Sequence, residues 1–284
     1  MALARRPPYD PGMGRPAIGD LIREWRTRRH RSQLDLAVDV GVSTRHLSFV
    51  ETGRSRPSPE LVLAIATHLD VPLRERNSLL LAAGYAPRFS HRSLDDAEMA
   101  PWRTSIQRML DAHQPYPGVA VDRQWNVVLA NEAAMMLTIG VSPEVLTQPL
   151  NVYRLTFHPD GLADRLLNLT DLAAVMMQQL RRSCAITGDP ALQTLLDEVL
   201  DYPNIQRIRP LLDIAEHSAS YTDPPLLIPF RLATPLGEVN LFTTLTTFGT
   251  PMDVTLDELA IELFYPSDDR SADVLRDLRS ATTR

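Results

Sequence analysis

The chain has 284 residues, 44% of them hydrophobic and 23% charged, with a formal net charge of −6 and a single cysteine, Cys184. That mixture supports folded cores and excludes a disordered chain, and one cysteine excludes both an internal disulfide and a multi-cysteine zinc site. No apolar run approaches the roughly eighteen residues of a membrane helix, and none follows Arg5 and Arg6 at the N-terminus, so the expectation is a two-domain cytoplasmic protein without membrane contact.

The charge is unevenly divided. Residues 1–90 hold 14 arginines against 9 acidic residues, a net of +5, whereas residues 91–284 hold 15 against 26, a net of −11. Lysine is absent, and the planar fork of arginine suits phosphate and guanine. A GC-rich coding sequence would also explain the missing lysine, but not the asymmetry.

In chain order, a Pro/Gly-rich arm (1–16) precedes a run of short helices. Ile18, Leu21, Ile22 and Trp25 make an i, i+3, i+4, i+7 stripe and predict the first helix. A second starts near Gln33, turns Leu36, Ala37 and Val40 inward, and stops at Gly41. Ser43 caps a third, which buries Leu47 and Val50 and ends near Thr52-Gly53. Ser58-Pro59-Glu60 opens a fourth as N-cap, first-turn proline and first-turn acid, and a fifth runs from Leu73 to Gly84. The expectation is an all-α, five-helix domain over 17–86 and a linker over 87–101.

The period then changes. After a helix over Trp102 to His113, β-rich runs Gly118–Asp122 and Trp125–Ala130 flank Asp122-Arg123-Gln124 like a hairpin, and Asn131 can cap a helix after them. Helices fill Gly161 to His217. Strands return at Leu226–Thr234 and Glu238–Phe248, joined through Pro235-Leu236-Gly237, with Val239, Leu241 and Leu245 on one face. A strand at Leu259–Tyr265 and a polar C-terminal helix complete an α+β domain over 102–284, with an antiparallel sheet of about five strands.

Chemistry concentrates in Ser32 to Arg54. A small Ala37 lets two helices cross closely, Gly41 makes the turn, and Val42, Leu47 and Val50 anchor the second helix of the pair. Its outer side is left polar with Thr44, Arg45 and Ser48, and such a helix fits the major groove of DNA. Arg45 is the expected base reader, Gln33 a phosphate contact, and Arg54 and Arg56 backbone contacts. An ordinary bundle with a solvated arginine face is the competing reading.

This segment resembles the Cro/C1-type, or XRE-family, helix-turn-helix, through its Gln33, Leu36-Ala37, Gly41, Val42-Ser43, Leu47 and Glu51-Thr52-Gly53-Arg54. The resemblance implies DNA contacts at Gln33, Thr44, Arg45, Ser48, Thr52 and Arg54, and Ser43, Phe49 and Arg56 complete the expected DNA surface. Phe49 stands where some members carry a polar base reader, and its ring, like that of Trp25, reads first as packing. Arg45 to Ser58, Arg74-Glu75-Arg76-Asn77 and Leu80 to Pro87 are similar to the MmyB-like subgroup of that family, and Gly118 to Ala134 and Asn151 to Pro159 extend the likeness. It implies a PAS-like second domain that binds a small apolar ligand, a fatty acid being one associated with the family. The expectation for the whole is a homodimer acting on a pseudo-palindromic operator in double-stranded DNA.

Val121, Leu129, Phe230, Leu232, Leu241 and Phe242 lie on strands that could line such a cavity. Met135-Met136 and Met176-Met177 fit either an adaptable pocket or core filling. Asp253, Asp257, Glu258 and Glu262 read as a solvated acidic edge, and His158-Pro159-Asp160 as a loop turn. No nucleophile elbow, phosphate loop or metal-spaced histidine pair occurs, so no catalytic residue, metal or cofactor is expected. Two alternatives stay open: a second domain that only dimerises or binds protein, and an enzyme with a helical appendage.

Overall fold

The structure, a computed structural model, describes residues 17–218 and 229–282. The expected arm over 1–16 and strand residues 226–228 lie outside them. The chain divides into two compact units.

In the first unit, five helices follow one another: α1 (Ile18–Arg28), α2 (Gln33–Asp39), α3 (Thr44–Glu51), α4 (Pro59–His68) and α5 (Leu73–Ala82). Serines open three of them. Ser32 and Asp35 form a reciprocal capping box on α2, the Ser43 hydroxyl accepts from His46 N–H at 3.1 Å, and Ser58 caps α4 ahead of Pro59. Each satisfies N–H groups that a helix start leaves without an internal partner. Ile22, Trp25, Leu36, Ala37, Leu47, Val50, Val62 and Ile65 close into one core. Two glycines set its geometry: Gly41 turns between α2 and α3 with φ +70°, and Gly19 lets α1 approach so closely that a Cβ would stand 2.4 Å from the Glu51 carbonyl oxygen.

This unit extends beyond the expected limits. Residues 87–91, expected to be linker, belong to it together with Met252–Asp257. The Asn77 side chain accepts from Arg88 N–H and Phe89 N–H and donates to the Phe89 carbonyl. Ser90 donates its hydroxyl to Asp253 at 2.7 Å, and Asp257 accepts from Leu73 N–H at the start of α5.

The second unit contains α6 (Ala100–Ala112), β1 (Gly118–Val121), β2 (Val127–Ala130), α7 (Glu132–Leu137), α8 (Val152–Phe157), α9 (Leu169–Thr187), α10 (Pro190–Leu200), α11 (Pro203–Ser218), β3 (Phe230–Thr234) and β4 (Gly237–Thr247). The short α12 (Val254–Asp257), part of the first unit, comes next, and β5 (Ala260–Pro266) and α13 (Asp269–Thr282) complete the second. The strands form one antiparallel sheet in the order β2-β1-β5-β4-β3. Helix α6 covers one face, where Ile106 and Leu110 meet Ala120 and Ile261. On the other face α9 packs with α10 and α11 through Leu180, Leu192, Val199 and Ile205. Helix α13 buries Val274 and Leu275 against Val239 and Leu241. The expected five-helix domain followed by a PAS-like α+β domain with five antiparallel strands is what the chain forms.

Candidate functional site

Two sites are built, one in each unit. In the first, Leu47 and Val50 bury the inner side of α3, while Arg45, Thr52 and Arg54 are exposed and Thr44, Ser48 and Phe49 are half-buried. The Phe49 ring has two guanidiniums over it, Arg45 at 5.3 Å and Arg54 at 5.8 Å from its centroid. Phe49 thus shapes the surface by holding two arginines through cation–π attraction. Thr52 turns its hydroxyl onto the Ser48 carbonyl at 2.7 Å, and Ser43 is engaged as the cap of α3.

Gln33 and Arg56 point elsewhere. The Gln33 amide donates to Glu51 at 2.7 Å. Arg56 donates to the carbonyls of Ala83 and Gly84 and lies 4.6 Å from the Tyr85 ring centroid, so it ties down the end of α5. Glu51 belongs to the sequence motif, but its role shows only in the structure. Its side chain is fully buried and receives both nitrogens of the Arg26 fork, at 2.7 and 3.0 Å, besides Gln33. Burial pushes its carboxyl up, but hydrogen bonds from Arg26 and Gln33 and the charges of Arg26 and Arg23 outweigh this and hold it below the ordinary range. A glutamate at the end of an amphipathic helix gives no sequence sign that α1 will supply a buried arginine.

The second site is a cavity of about 420 Å³ between the sheet and helices α7–α9, within the size range of small-molecule sites. Strand alternation builds its sheet wall. Ile261 and Leu263 face α6, so Glu262 and Phe264 face the cavity, beside Val119 on β1 and Thr243 and Leu245 on β4. Trp125, Leu155 and Met176 line it from the other side. Among the six expected lining residues, Phe230 borders the cavity. Leu232 and Leu241 are fully buried in the core beside α13, Val121 is buried, Leu129 packs with the α6 cluster, and Phe242 stacks on Tyr265 at 5.2 Å. Met176 lines the cavity and Met177 fills the core.

The acidic edge read from the sequence is not one. Asp253 is buried against Ser90, Asp257 accepts at the start of α5, and Glu258 pairs with Arg123 at 2.9 Å. Glu262 is half-buried and lines the cavity. Burial pushes its carboxyl up to about 7, against the opposing hydrogen bond from Thr243. Four carboxylates close in sequence therefore serve separate tasks, because a strand and a helical turn send them in different directions. His158-Pro159-Asp160 forms the expected turn, with Asp160 N–H donating to the His158 ring.

An arginine-bearing helix on a helix-turn-helix scaffold, followed by a cavity-bearing α+β domain, defines a DNA-binding transcription regulator with a ligand-binding domain. The helix-turn-helix family profile matches residues 22–76, and the profile of the MmyB-like transcription regulator ligand binding domain matches residues 102–278. The chain belongs to the MmyB-like transcription regulators. It is similar to transcriptional regulator ClgR of Mycobacterium tuberculosis, 39% identical over 59 residues, which are 21% of this chain and 53% of that protein. It is also similar to the uncharacterized HTH-type transcriptional regulators Rv0023 of M. tuberculosis and Mb0023 of Mycobacterium bovis, each 34% identical over 117 residues, 41% of this chain and 39% of theirs. The matches thus span about half or less of these relatives. Among the described residues, no helix is long and apolar enough to cross a membrane, and no group of three or more metal-type ligands occurs.

Proposed function

We propose that α3 is the recognition helix of a cytoplasmic homodimer that reads a pseudo-palindromic operator, and that an apolar small molecule in the α7–α9 cavity controls its occupancy. The observation that carries the DNA half is the division of α3: Leu47 and Val50 are fully buried while the opposite side presents Arg45 with Thr44 and Ser48. Arg45 reads a guanine edge, Thr44 and Ser48 contact neighbouring bases, and Ser43, Thr52 and Arg54 meet phosphates, with Phe49 keeping the two arginines in place. Gln33 and Arg56, tied to Glu51 and to carbonyls of α5, serve by positioning. Two such helices, one per protomer, would read half-sites about one helical turn apart.

The ligand half is supported by a cavity walled mainly by apolar side chains, the kind of space that a long alkyl chain fills. A ligand alters occupancy only if it binds one arrangement of the protein better than another. Chain connectivity offers a route: β4 and β5 line the cavity, and Met252–Asp257, within the segment that joins them, is part of the helix-turn-helix unit.

Titrating the intergenic DNA upstream of the protein's own gene, with a scrambled duplex as control, tests the first half. Replacing Arg45 by Ala should weaken cognate binding by about 1–3 kcal/mol and narrow the gap between cognate and scrambled DNA. Wild-type protein that holds both duplexes equally would remove α3 as a reader. Native mass spectrometry of the purified protein tests the second half, a co-purifying lipid-sized mass being the expected result.

A further inference from the structure

An apolar cavity accepts a polar group only where a partner waits for it, because an unpaired charge removed from water is strongly disfavoured. Among the described residues that line this cavity, Glu262 is the one ionisable side chain; its polar companions are Thr138, Thr156, Gln179 and Thr243, all neutral. Among the described residues, neither arginine nor histidine borders the space. The titratable group nearest in effect is Tyr153 of α8, whose phenol is pushed up by burial and by the Glu262 charge, and whose hydroxyl donates to the Met176 carbonyl. Three aromatic rings, Trp125, Phe230 and Phe264, share the lining, and aromatic faces attract cations.

The carboxylate of a fatty acid would therefore enter a space whose described lining holds no cation to receive it and already presents a carboxyl group. A protonated amine meets the opposite situation. We propose that the cavity selects an amphiphile with an apolar body and a single cationic nitrogen, and that Glu262 is the group that receives this nitrogen. The proposal rests on the reading of the cavity as the ligand site and narrows it to a chemical class. Binding such a cation draws the proton from Glu262 into solvent, so amine affinity rises between pH 6 and 8. A carboxylate ligand, which needs Glu262 protonated as a donor, shows the reverse trend.

Isothermal titration of the full-length protein with dodecylamine, dodecanol and dodecanoic acid, at pH 6 and pH 8, decides the matter. At pH 8 the amine should bind at least about tenfold more tightly than the acid. Glu262→Gln should cost the amine about tenfold and flatten its pH trend, while dodecanol binding by the variant shows that the cavity is intact. Acid binding as tight as amine binding in the wild type, or amine binding unmoved by Glu262→Gln, overturns the proposal and leaves the ligand site standing as long as dodecanol binds. Failure of all three to bind the wild type removes the ligand site, and the selectivity falls with it.

Discussion

Two glutamates illustrate how one residue type acquires opposite properties from its surroundings. Glu51 is buried beside Arg26 and Gln33 and is held ionised, its carboxyl below the ordinary range. Removing its charge leaves the Arg26 side chain, itself only 14% exposed, without its counter-charge. Glu51→Gln should therefore destabilise the helix-turn-helix unit by about 3 kcal/mol, the low end for a broken buried pair. Chemical denaturation at pH 7 measures this, and a loss under about 1 kcal/mol would show the pair to be incidental. Because its folded carboxyl is depressed, the Glu51 contribution is complete above the ordinary glutamate value of about 4.3 and is lost as pH falls below it. Glu262 has the reverse sign. Its carboxyl, pushed up to about 7, keeps in the folded state a proton that the unfolded chain has released from about pH 4.3 upward. Stability from this group therefore falls as pH rises through that window. Glu262→Gln should raise the unligated thermal midpoint at pH 8, by the equivalent of about 1–3 kcal/mol, with the gain vanishing near pH 4. An equal effect at both pH values would mean that Glu262 is not held protonated. Neither glutamate could be understood from its neighbours in sequence, since Arg26 and Thr243 reach them through tertiary packing.

At the scale of elements, the helix-turn-helix was legible because its signals are local. The serine caps, Pro59 at the first helical position, Gly41 at the turn and the apolar stripes each act within four residues, and the helices form where those signals place them. Gly19 carries no such local signal, because its reason is the neighbouring helix. Gly19→Ala would set a Cβ against the Glu51 carbonyl oxygen at 2.4 Å, a backbone atom that cannot swing aside as a side chain can. The expected outcome is a loss of about 1–3 kcal/mol, even though alanine is the better helix former. A thermal melt in which the variant equals or exceeds the wild type would contradict the close approach of α1 and α3. Strand β5 gives the complementary lesson. Its period of two was readable, but which of its faces is covered by α6 and which meets the cavity depends on its place between β1 and β4. The fate of Glu262 follows from that.

For the whole molecule, the charge asymmetry has a measurable consequence. Affinity for DNA should fall steeply with salt, with a log–log slope of about −0.9 for each phosphate neutralised. Ligand and DNA must also influence each other equally. If saturating amphiphile changes operator affinity by about tenfold, saturating operator must change amphiphile affinity by the same factor. Ligand titrations with and without operator check this, and identical affinities in the two would exclude control of DNA binding through the cavity. By itself the sequence determined the two-domain layout, the basic character of the first domain, helix α3 with its polar outer side, and the alternation of the strands, because these rest on periodicity, capping and composition within short windows. Only the tertiary structure decided which arginine is structural, that Glu51 is buried, that Met252–Asp257 joins the first unit, and which residues face the cavity. These depend on elements far apart in the chain meeting in space, and no local pattern encodes which face of a strand will be left uncovered by its helices.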